Sequence, residues 1–235
     1  MIPQVIHYCW FGGKPLPRLA IRCRKSWKKI FPNYVIKEWN EGTFDVNTHP
    51  YTKYCYENGL WAYLSDYVRL VVVEREGGIY FDTDVEVVKY PKELLENNSA
   101  YFGWETPEYI NTGLGFGAEQ HHPAVQAMLA MYDDLVVDGK YMFEKMQGCP
   151  QLNTKAFIPY GLVRDGAMQT ICKSLILPID YLCPFSDVTG ILKKTDNTIS
   201  VHWFGKSPHG KMAAWKAKFA RPLRRWFGAN LFRKN

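Results

Sequence analysis

The stretch that decides the fold is "YLSDYVRLVVVEREGGIYFDTDVEVVKY", residues 63–90. Apolar side chains recur at a period near 3.6 over residues 60–75, which predicts an amphipathic helix. The glycines at 77 and 78 are typical of a left-handed cap that ends such a helix. The segment "IYF", residues 79–81, then predicts a short buried strand.

Two aspartates, Asp82 and Asp84, follow that strand directly. At a strand end or turn the two carboxylates can converge, and ligands bind at the carboxyl ends of strands in open α/β sheets. Mg²⁺ and Mn²⁺ take oxygen ligands and often use only one or two carboxylates, so a metal held here could neutralise a diphosphate leaving group. The alternative is a solvated turn, since "DTD" is good turn material. Glu86 follows, and a supporting structural role is expected for it.

The rest of the chain predicts an α/β fold, because strands alternate with helices through the first half. The predicted strands cover residues 4–11, 34–39, 85–90, 100–105, 113–118, 175–182 and 198–204, and the further helices cover residues 17–30 and 123–137.

Length and composition favour one intracellular domain. The chain has 235 residues, of which 47% are hydrophobic, enough for one sizeable core. No secretory signal and no apolar run long enough to span a bilayer is evident. The six scattered cysteines form no CxxC pair and are expected to be reduced, which favours a cytoplasmic location.

The charge divides the chain into a body and a tail. Residues 206–235 hold nine Lys or Arg and no acid, which leaves 20 basic and 23 acidic residues before them. We therefore expect a catalytic domain over residues 1–205 and a basic, aromatic tail over 206–235. A uniform nucleic-acid-binding surface does not fit this division, and no base-reading module accompanies the charge.

Residues 211–235 combine cations with Met, Trp, Phe and Leu at spacings near three to four. This pattern predicts an amphipathic helical tail, interrupted at Pro222, that could lie on an anionic membrane surface. The alternative is that its aromatic side chains pack on the body or on a second protomer.

Three ordered motifs carry a resemblance to glycosyltransferase family 32, which is related to yeast α-1,6-mannosyltransferases and to the glucosylating clostridial toxins. They are "IPQVIHYCWFGGKPLP" at residues 2–17, "AYLSDYVRLVVVEREGGIYFDTDVEV" at 62–87 and "ISVHWFGKSP" at 199–208. The resemblance implies a GT-A fold, a Rossmann-like α/β sandwich.

The resemblance also implies how a nucleotide-sugar donor is bound. Trp10 matches the aromatic residue on which the donor's uracil stacks, although it could be an ordinary core tryptophan. Asp66 and Arg69, neighbours on one helix face, would bind sugar or phosphate, with a structural salt bridge as the alternative. Tyr80 would lie beside the diphosphate, but core packing explains its position equally well.

The metal site implied by the resemblance uses three side chains. Asp82 would contact the donor and reach the metal through water, Asp84 would ligate the metal directly, and His202 would be a third ligand unless it is a core residue. Ser207 would donate a hydrogen bond to the diphosphate. Pro208 stands where the family usually has tryptophan, which leaves open how that loop closes.

The acceptor side is expected near Asn111, a sugar-orienting residue that completes the predicted catalytic set with Asp82 and Asp84. The segment at 147–157 resembles the family's G-P-x-x-L-T motif through Gly148, Pro150 and Thr154. No nucleophile or general base is evident. Retention of anomeric configuration, with the leaving diphosphate as base, is implied by the resemblance alone.

The expected function is therefore transfer of a hexose or N-acetylhexosamine from a UDP-sugar, with Mn²⁺ or Mg²⁺, to a lipid-linked saccharide of a bacterial surface polysaccharide. The expected location is the inner face of the cytoplasmic membrane. One alternative is a mannosyltransferase that uses GDP-mannose. A second is a degenerate sugar-binding or scaffold protein. A haloacid-dehalogenase-type phosphatase fits poorly, because the DGT continuation of its motif is missing after Asp84.

Overall fold

A computed structural model describes residues 1–205 of the chain. The predicted tail, with Ser207 and Pro208, lies outside the described residues. Within residues 1–205, no helix is both long and apolar enough to cross a bilayer.

Seven helices and twelve strands form the described part of the chain. The helices are α1 Arg18–Ile30, α2 Pro50–Glu57, α3 Trp61–Glu76, α4 Lys92–Asn97, α5 Pro123–Asp133, α6 Cys149–Phe157 and α7 Ile179–Leu182. The strands are β1 Val5–Cys9, β2 Val35–Trp39, β3 Gly78–Tyr80, β4 Val85–Val87, β5 Ala100–Thr106, β6 Tyr109–Ile110, β7 Phe116–Ala118, β8 Val136–Val137, β9 Lys140–Tyr141, β10 Gln169–Ile171, β11 Ser174–Leu177 and β12 Ser200–His202.

The central sheet is mixed, with strand order β10-β11-β5-β7-β3-β1-β2 and β6 paired with β5. Strands β2, β1 and β3 run parallel, and β3 then pairs antiparallel with β7. Parallel neighbours end at the same edge of the sheet, so the residues after β1 and β3 meet there. The predicted α/β class is confirmed.

Both faces of the sheet are covered by apolar side chains. On one face, α3, α5 and α6 pack Val68, Met128 and Phe157 against Phe102 and Phe116. On the other, Cys23 and Trp27 of α1 pack in a second cluster with Tyr8, Phe81 and Val85 from the sheet side. The sheet edge between these two layers is where the polar residues of the 63–90 stretch emerge.

Helix α3 ends at Glu76, as expected, but the predicted left-handed cap is wrong. Gly77 has φ 64° and ψ −172°, which is outside the left-handed helical region. A Cβ on Gly77 would lie 2.7 Å from the Pro3 ring, and one on Gly78 would lie 2.7 Å from the Val5 carbonyl. The two glycines are therefore needed because β3 approaches β1 so closely.

Several predicted boundaries differ for local reasons. Helix α5 ends at Asp133 rather than at residue 137, because Asp138 and Gly139 have φ 50° and 72° and connect the hairpin β8–β9. Strand β11 ends at Leu177 because Pro178 interrupts the ladder and precedes α7.

Two further predicted strands are shorter, and four helices were not predicted. Strand β7 starts only at Phe116, after a 3-10 turn and Gly115 at φ 104°. Strand β4 ends at Val87, where the next two amides both turn to the Ile199 carbonyl. These helices, α2, α4, α6 and α7, have only 8, 6, 9 and 4 residues, which weakens their periodic signal.

Candidate active site

A turn after β3 brings the two aspartates together. The Val85 amide donates to the Asp82 carbonyl at 3.0 Å, which closes the turn between β3 and β4. Strand β12 pairs antiparallel with β4 and places His202 opposite Val85. One ligand atom each from Asp82, Asp84 and His202 lies within 4.8 Å of the others.

Asp84 is held by donors from the last described strand and loop. His202 Nε2 lies 3.1 Å from one carboxylate oxygen, and the Gly205 amide donates to the other at 2.6 Å. Burial alone would raise the pKa of Asp84, but the His202 charge and these hydrogen bonds outweigh it and lower that pKa. For His202, burial lowers the pKa, but Asp84 outweighs it and raises the pKa. Asp84 is thus kept ionised.

Asp82 has different partners. Its carboxylate lies 3.0 Å from Arg69 Nη2 and accepts a hydrogen bond from the Tyr80 hydroxyl at 2.8 Å. Burial raises the pKa of Asp82 despite the Arg69 charge, and the negative charge of Asp84 adds to the rise.

Arg69 joins the helix to this turn. It is 4% exposed and pairs with Asp66 at 2.9 Å, as expected for residues three apart on one helix face. Its guanidinium also lies 5.0 Å from the centre of the Tyr80 ring. Burial raises the pKa of Asp66 to about 7, although Arg69 and the Cys149 backbone amide oppose the rise.

A cavity of about 700 Å³ opens beside these groups, a size that suits a small-molecule ligand. Its lining includes Trp10, Asp66, Arg69, Asp82 and Asp84. Trp10 follows β1, is half-buried, and donates its indole N–H to the Lys14 carbonyl. Its ring is therefore part of the cavity wall rather than of the deep core.

Asn111 lies on the other side of Asp82. Its Oδ1 accepts from the Gly113 amide at 2.7 Å, and its Nδ2 donates to the Glu105 carboxylate. The following turn is anchored on α6, because Asn153 Oδ1 accepts from the Thr112 amide at 3.1 Å and from its hydroxyl at 3.0 Å.

The structure thus brings together the described predicted site residues, which are Trp10, Asp66, Arg69, Tyr80, Asp82, Asp84, Asn111 and His202. Tyr80 is fully buried among core aromatics, but its hydroxyl reaches Asp82. Glu86 turns away from the cluster, accepting from the Trp203 indole at 2.8 Å and pairing with Arg22 at 3.3 Å.

The segment around Gly148, Pro150 and Thr154 forms the start of α6 and supports the acceptor side. Gly148 precedes the helix and Pro150 lies in its first turn. The Thr154 hydroxyl accepts from the Ile110 amide at 2.9 Å. Thr154 therefore holds β6, the strand just before Asn111, and none of the three residues lines the cavity.

Sequence reasoning missed Glu105, Gly113, Cys149 and Asn153. A Cβ on Gly113 would lie 2.6 Å from Asp82 Oδ2 and 3.0 Å from Asn111 Oδ1. The Cys149 thiol lies 3.1 Å from the Thr112 hydroxyl and 2.9 Å from Asn153 Oδ1. The sequence signal for a role of these residues in the site is limited to the polar side chains of the hairpin "WETPEYINTG", residues 104–113.

The cluster fits a divalent cation. Two carboxylates and an imidazole are a donor set that a hard or borderline metal accepts. His202 Nδ1 is buried without a hydrogen-bond partner among the described residues, so no second hydrogen bond fixes the imidazole ring. Asp82, Asp84 and His202 therefore form a possible divalent-metal site.

Comparison with known proteins agrees with this geometry. Residues 17–101 match the family model described as a glycosyltransferase sugar-binding region containing the DXD motif. The matched range includes Asp66, Arg69, Tyr80, Asp82 and Asp84. A search of curated proteins finds no match.

Two solved structures share the fold. The PaToxG glycosyltransferase is 19% identical over 67% of this chain and 68% of its own, with a TM-score of 0.53. A glycosyltransferase involved in the glycosylation of the major capsid of PBCV-1 is 11% identical over 92% of this chain and 100% of its own, with a TM-score of 0.50.

Residues 17–101 therefore form a glycosyltransferase sugar-binding region containing the DXD motif, and the predicted enzyme class, a glycosyltransferase, is confirmed. Such a region implies a nucleotide-sugar donor and an acceptor. The "DTD" that follows β3 is the DXD motif of this region, and the turn after β3 brings its two carboxylates together.

Proposed function

We propose that this glycosyltransferase is metal-dependent and retaining, and that it transfers a hexose or N-acetylhexosamine from a UDP-sugar. The observation that supports this most strongly is the convergence of Asp82, Asp84 and His202, because the two aspartates of this cluster also line the large cavity. Two carboxylates this close repel each other, and a cation bound between them would relieve that repulsion.

The metal would be Mn²⁺ or Mg²⁺. Asp84 and His202 would ligate it directly, and Asp82 would reach it through water while staying bonded to Arg69. When bound, the cation would supply positive charge to the donor's diphosphate as that group leaves. The imidazole favours Mn²⁺ over Mg²⁺, because Mg²⁺ prefers an all-oxygen shell.

The donor would occupy the cavity. Trp10 offers an aromatic face for the uracil, while Arg69, the buried cation of the site, lies beside Asp82 for contact with sugar or phosphate. Preference for uridine over guanosine depends on the resemblance at Trp10, so GDP-mannose is the alternative donor.

A thermal-shift panel tests the donor site. Wild type and Asp84→Ala are compared with UDP-glucose, UDP-galactose, both UDP-N-acetylhexosamines and GDP-mannose, each with Mn²⁺ or EDTA. We expect stabilisation by one UDP-sugar that needs metal and is lost in Asp84→Ala. When the free donor concentration is 100 times its Kd, donor binding should stabilise the folded protein by about 2.7 kcal/mol.

Glu86→Gln is the matched control, because Glu86 belongs to the same run of acids but contacts Trp203 and Arg22 instead of the cluster. It should keep the donor shift. A shift with GDP-mannose alone would make the enzyme a mannosyltransferase. Metal binding without a shift from any donor would favour a degenerate sugar-binding or scaffold protein.

The acceptor is proposed to be a lipid-linked saccharide of a bacterial surface polysaccharide, reached from the inner face of the cytoplasmic membrane. The basic, aromatic composition of residues 211–235 supports membrane docking. So does α1, whose exposed Arg18, Lys25, Lys28 and Lys29 make no ion pair within residues 1–205.

Vesicle sedimentation tests the docking. The full chain should sediment with vesicles of phosphatidylcholine and phosphatidylglycerol, and not with phosphatidylcholine alone. Reversing two tail charges, Lys216→Glu and Lys218→Glu, should weaken binding about tenfold or more. Reversing Lys53 and Lys155, which lie on α2 and α6, should leave it unchanged. Equal binding to both vesicles would contradict an electrostatic contact.

A further inference from the structure

The side-chain amide of Asn111 has a defined orientation. The Gly113 backbone amide can only donate, so the Asn111 atom 2.7 Å from it must be the oxygen. The Glu105 carboxylate can only accept, so the Asn111 atom that contacts it must be the nitrogen. The two contacts agree on one orientation and exclude the flipped amide.

This orientation leaves one N–H of Asn111 for a ligand. The nitrogen carries two hydrogens, and among the described residues Glu105 is its only acceptor. The oxygen is already used, since it accepts from the Gly113 amide and the Cys149 sulfur lies 3.4 Å from it. Asn111 can therefore offer a substrate a donor, but hardly an acceptor.

Asn111 is also close to the DXD motif. Its Oδ1 and Asp82 Oδ2 lie 3.0 and 2.6 Å from the same point, the place where Gly113 would carry a Cβ. The amide is thus on the same side of the 3-10 turn as the metal-site carboxylate. A group held here would be adjacent to a sugar bound at Asp82.

Glu105 has no evident structural partner besides Asn111. Glu105 is half-buried near the carboxyl end of β5 and makes no ion pair with any residue from 1 to 205. Within the described residues, the Asn111 amide is thus the only side-chain hydrogen-bond partner of this carboxylate.

We propose that Glu105 is a positioning residue that acts through Asn111, holding the amide so that its nitrogen donates to a hydroxyl or carbonyl oxygen of the bound sugar. This rests on the proposed function of the site. Asn111 would then select for hydroxyl or acetamido groups on a sugar bound next to Asp82, without contacting the metal itself.

The contact can be measured without activity. In protein labelled with ¹⁵N at asparagine, the Asn111 side-chain signal is identified by its absence in Asn111→Ser. One of its two protons should be shifted downfield and exchange slowly in wild type and in Glu105→Gln, which keeps an acceptor oxygen. Both features should be lost in Glu105→Ala. An unchanged Asn111 signal in Glu105→Ala would overturn the proposal.

Kinetics then test the action through Asn111. Glu105→Ala should lower kcat/KM about 10- to 100-fold, the range measured for residues that orient a functional side chain. Glu105→Gln should recover most of it. In an Asn111→Ala background, Glu105→Ala should cause no further loss, because the two act as one unit. A full additional loss in that background would contradict the positioning role.

Glu108→Gln is the matched control, since Glu108 is an exposed acid in the same hairpin and its backbone, not its carboxylate, makes the observed contacts. It should change neither the amide signal nor kcat/KM. If wild type transfers no sugar, the proposed function fails, while the Asn111 signal still decides whether Glu105 holds the amide.

Discussion

Asp82 and Asp84 are two residues apart, but the structure gives them opposite surroundings. Asp82 contacts Arg69 and Tyr80, which come from the helix before the motif and from β3. Asp84 contacts His202 and the Gly205 amide, which come from the end of the described chain. The pKa of Asp82 is raised by burial, whereas His202 helps to lower that of Asp84.

The difference separates two tasks within one motif. Asp82 belongs to a buried ion-pair network that holds α3 against β3, so it serves the fold as well as the site. Asp84 has partners that a cation can replace or share, so it is free to serve as a ligand. Variants of the two networks should therefore divide into those that lose stability and those that lose only binding.

The largest stability effect is expected at Arg69. Arg69→Ala leaves Asp66 and Asp82 without their shared cation in a buried site, which should lower the free energy of unfolding by about 3–5 kcal/mol. Arg69→Lys should lose less, because the charge remains but the planar fork is gone. Urea unfolding measures both. A loss below about 1 kcal/mol for Arg69→Ala would show that the network does not support the fold.

The direct comparison is between Asp82→Asn and Asp84→Asn. Asp82→Asn removes a charge from the buried Arg69 and should cost about 1–3 kcal/mol. Asp84 is also paired, but its partners are a histidine that can lose its proton and a backbone amide, so Asp84→Asn should cost less than about 1 kcal/mol. Both should lower kcat on the order of 10²–10³-fold. Equal stability losses would remove the distinction between the two environments.

Gly113 tests how closely the two halves of the site approach. The Cβ of Gly113→Ala would meet Asp82 Oδ2 at 2.6 Å, so it should push the carboxylate away and weaken donor binding. The expected loss of stability is about 1–3 kcal/mol, typical of overpacking. Gly42→Ala, at an exposed turn, is the control. Unchanged donor binding in Gly113→Ala would show that Asp82 can move without effect.

The smallest effect is expected at His7, a buried histidine with neutral partners. Its Nε2 faces the Gly77 carbonyl at 2.8 Å and its Nδ1 accepts from the Trp39 indole at 3.1 Å, so neither nitrogen has room for an added proton. Burial lowers the pKa of His7 below 6.5. Lys37 and Glu76, which form an ion pair nearby, have opposite effects on this pKa, since the lysine lowers it and the glutamate raises it.

Because the unfolded chain takes up this proton near pH 6.5 and the folded chain does so only at lower pH, stability should fall as the pH drops below 6.5. The slope from one group is at most about 1.4 kcal/mol per pH unit. Urea unfolding at several pH values should show a smaller slope for His7→Gln than for wild type. Identical slopes would mean that His7 does not resist protonation.

The sequence predicts the parts of the molecule whose causes are local. The α3 stripe, the strand before the motif, and the Asp66–Arg69 pair depend on spacing within about one helical turn or one strand. Asp138 and Gly139 are a local hairpin signal too, but the helix predicted over residues 123–137 includes strand β8, which precedes them.

The remainder of the site depends on contacts between distant segments. The Glu105 carboxylate matters because β6 returns beside β5, and Gly113 matters because Asp82 and Asn111 approach it from different strands. Cys149 and Asn153 reach the site from α6, about 40 residues along the chain from Thr112. No pattern within a short window of sequence reports such distances.

The most direct test of the central claim is a Mn²⁺ titration followed by electron paramagnetic resonance, with and without UDP. Wild type should bind one Mn²⁺ per chain, more tightly in the presence of UDP. Binding should be lost in Asp84→Ala and weakened about 10- to 100-fold in His202→Gln. Binding of Mn²⁺ by Asp84→Ala with the affinity of wild type would contradict a metal site at the DXD turn.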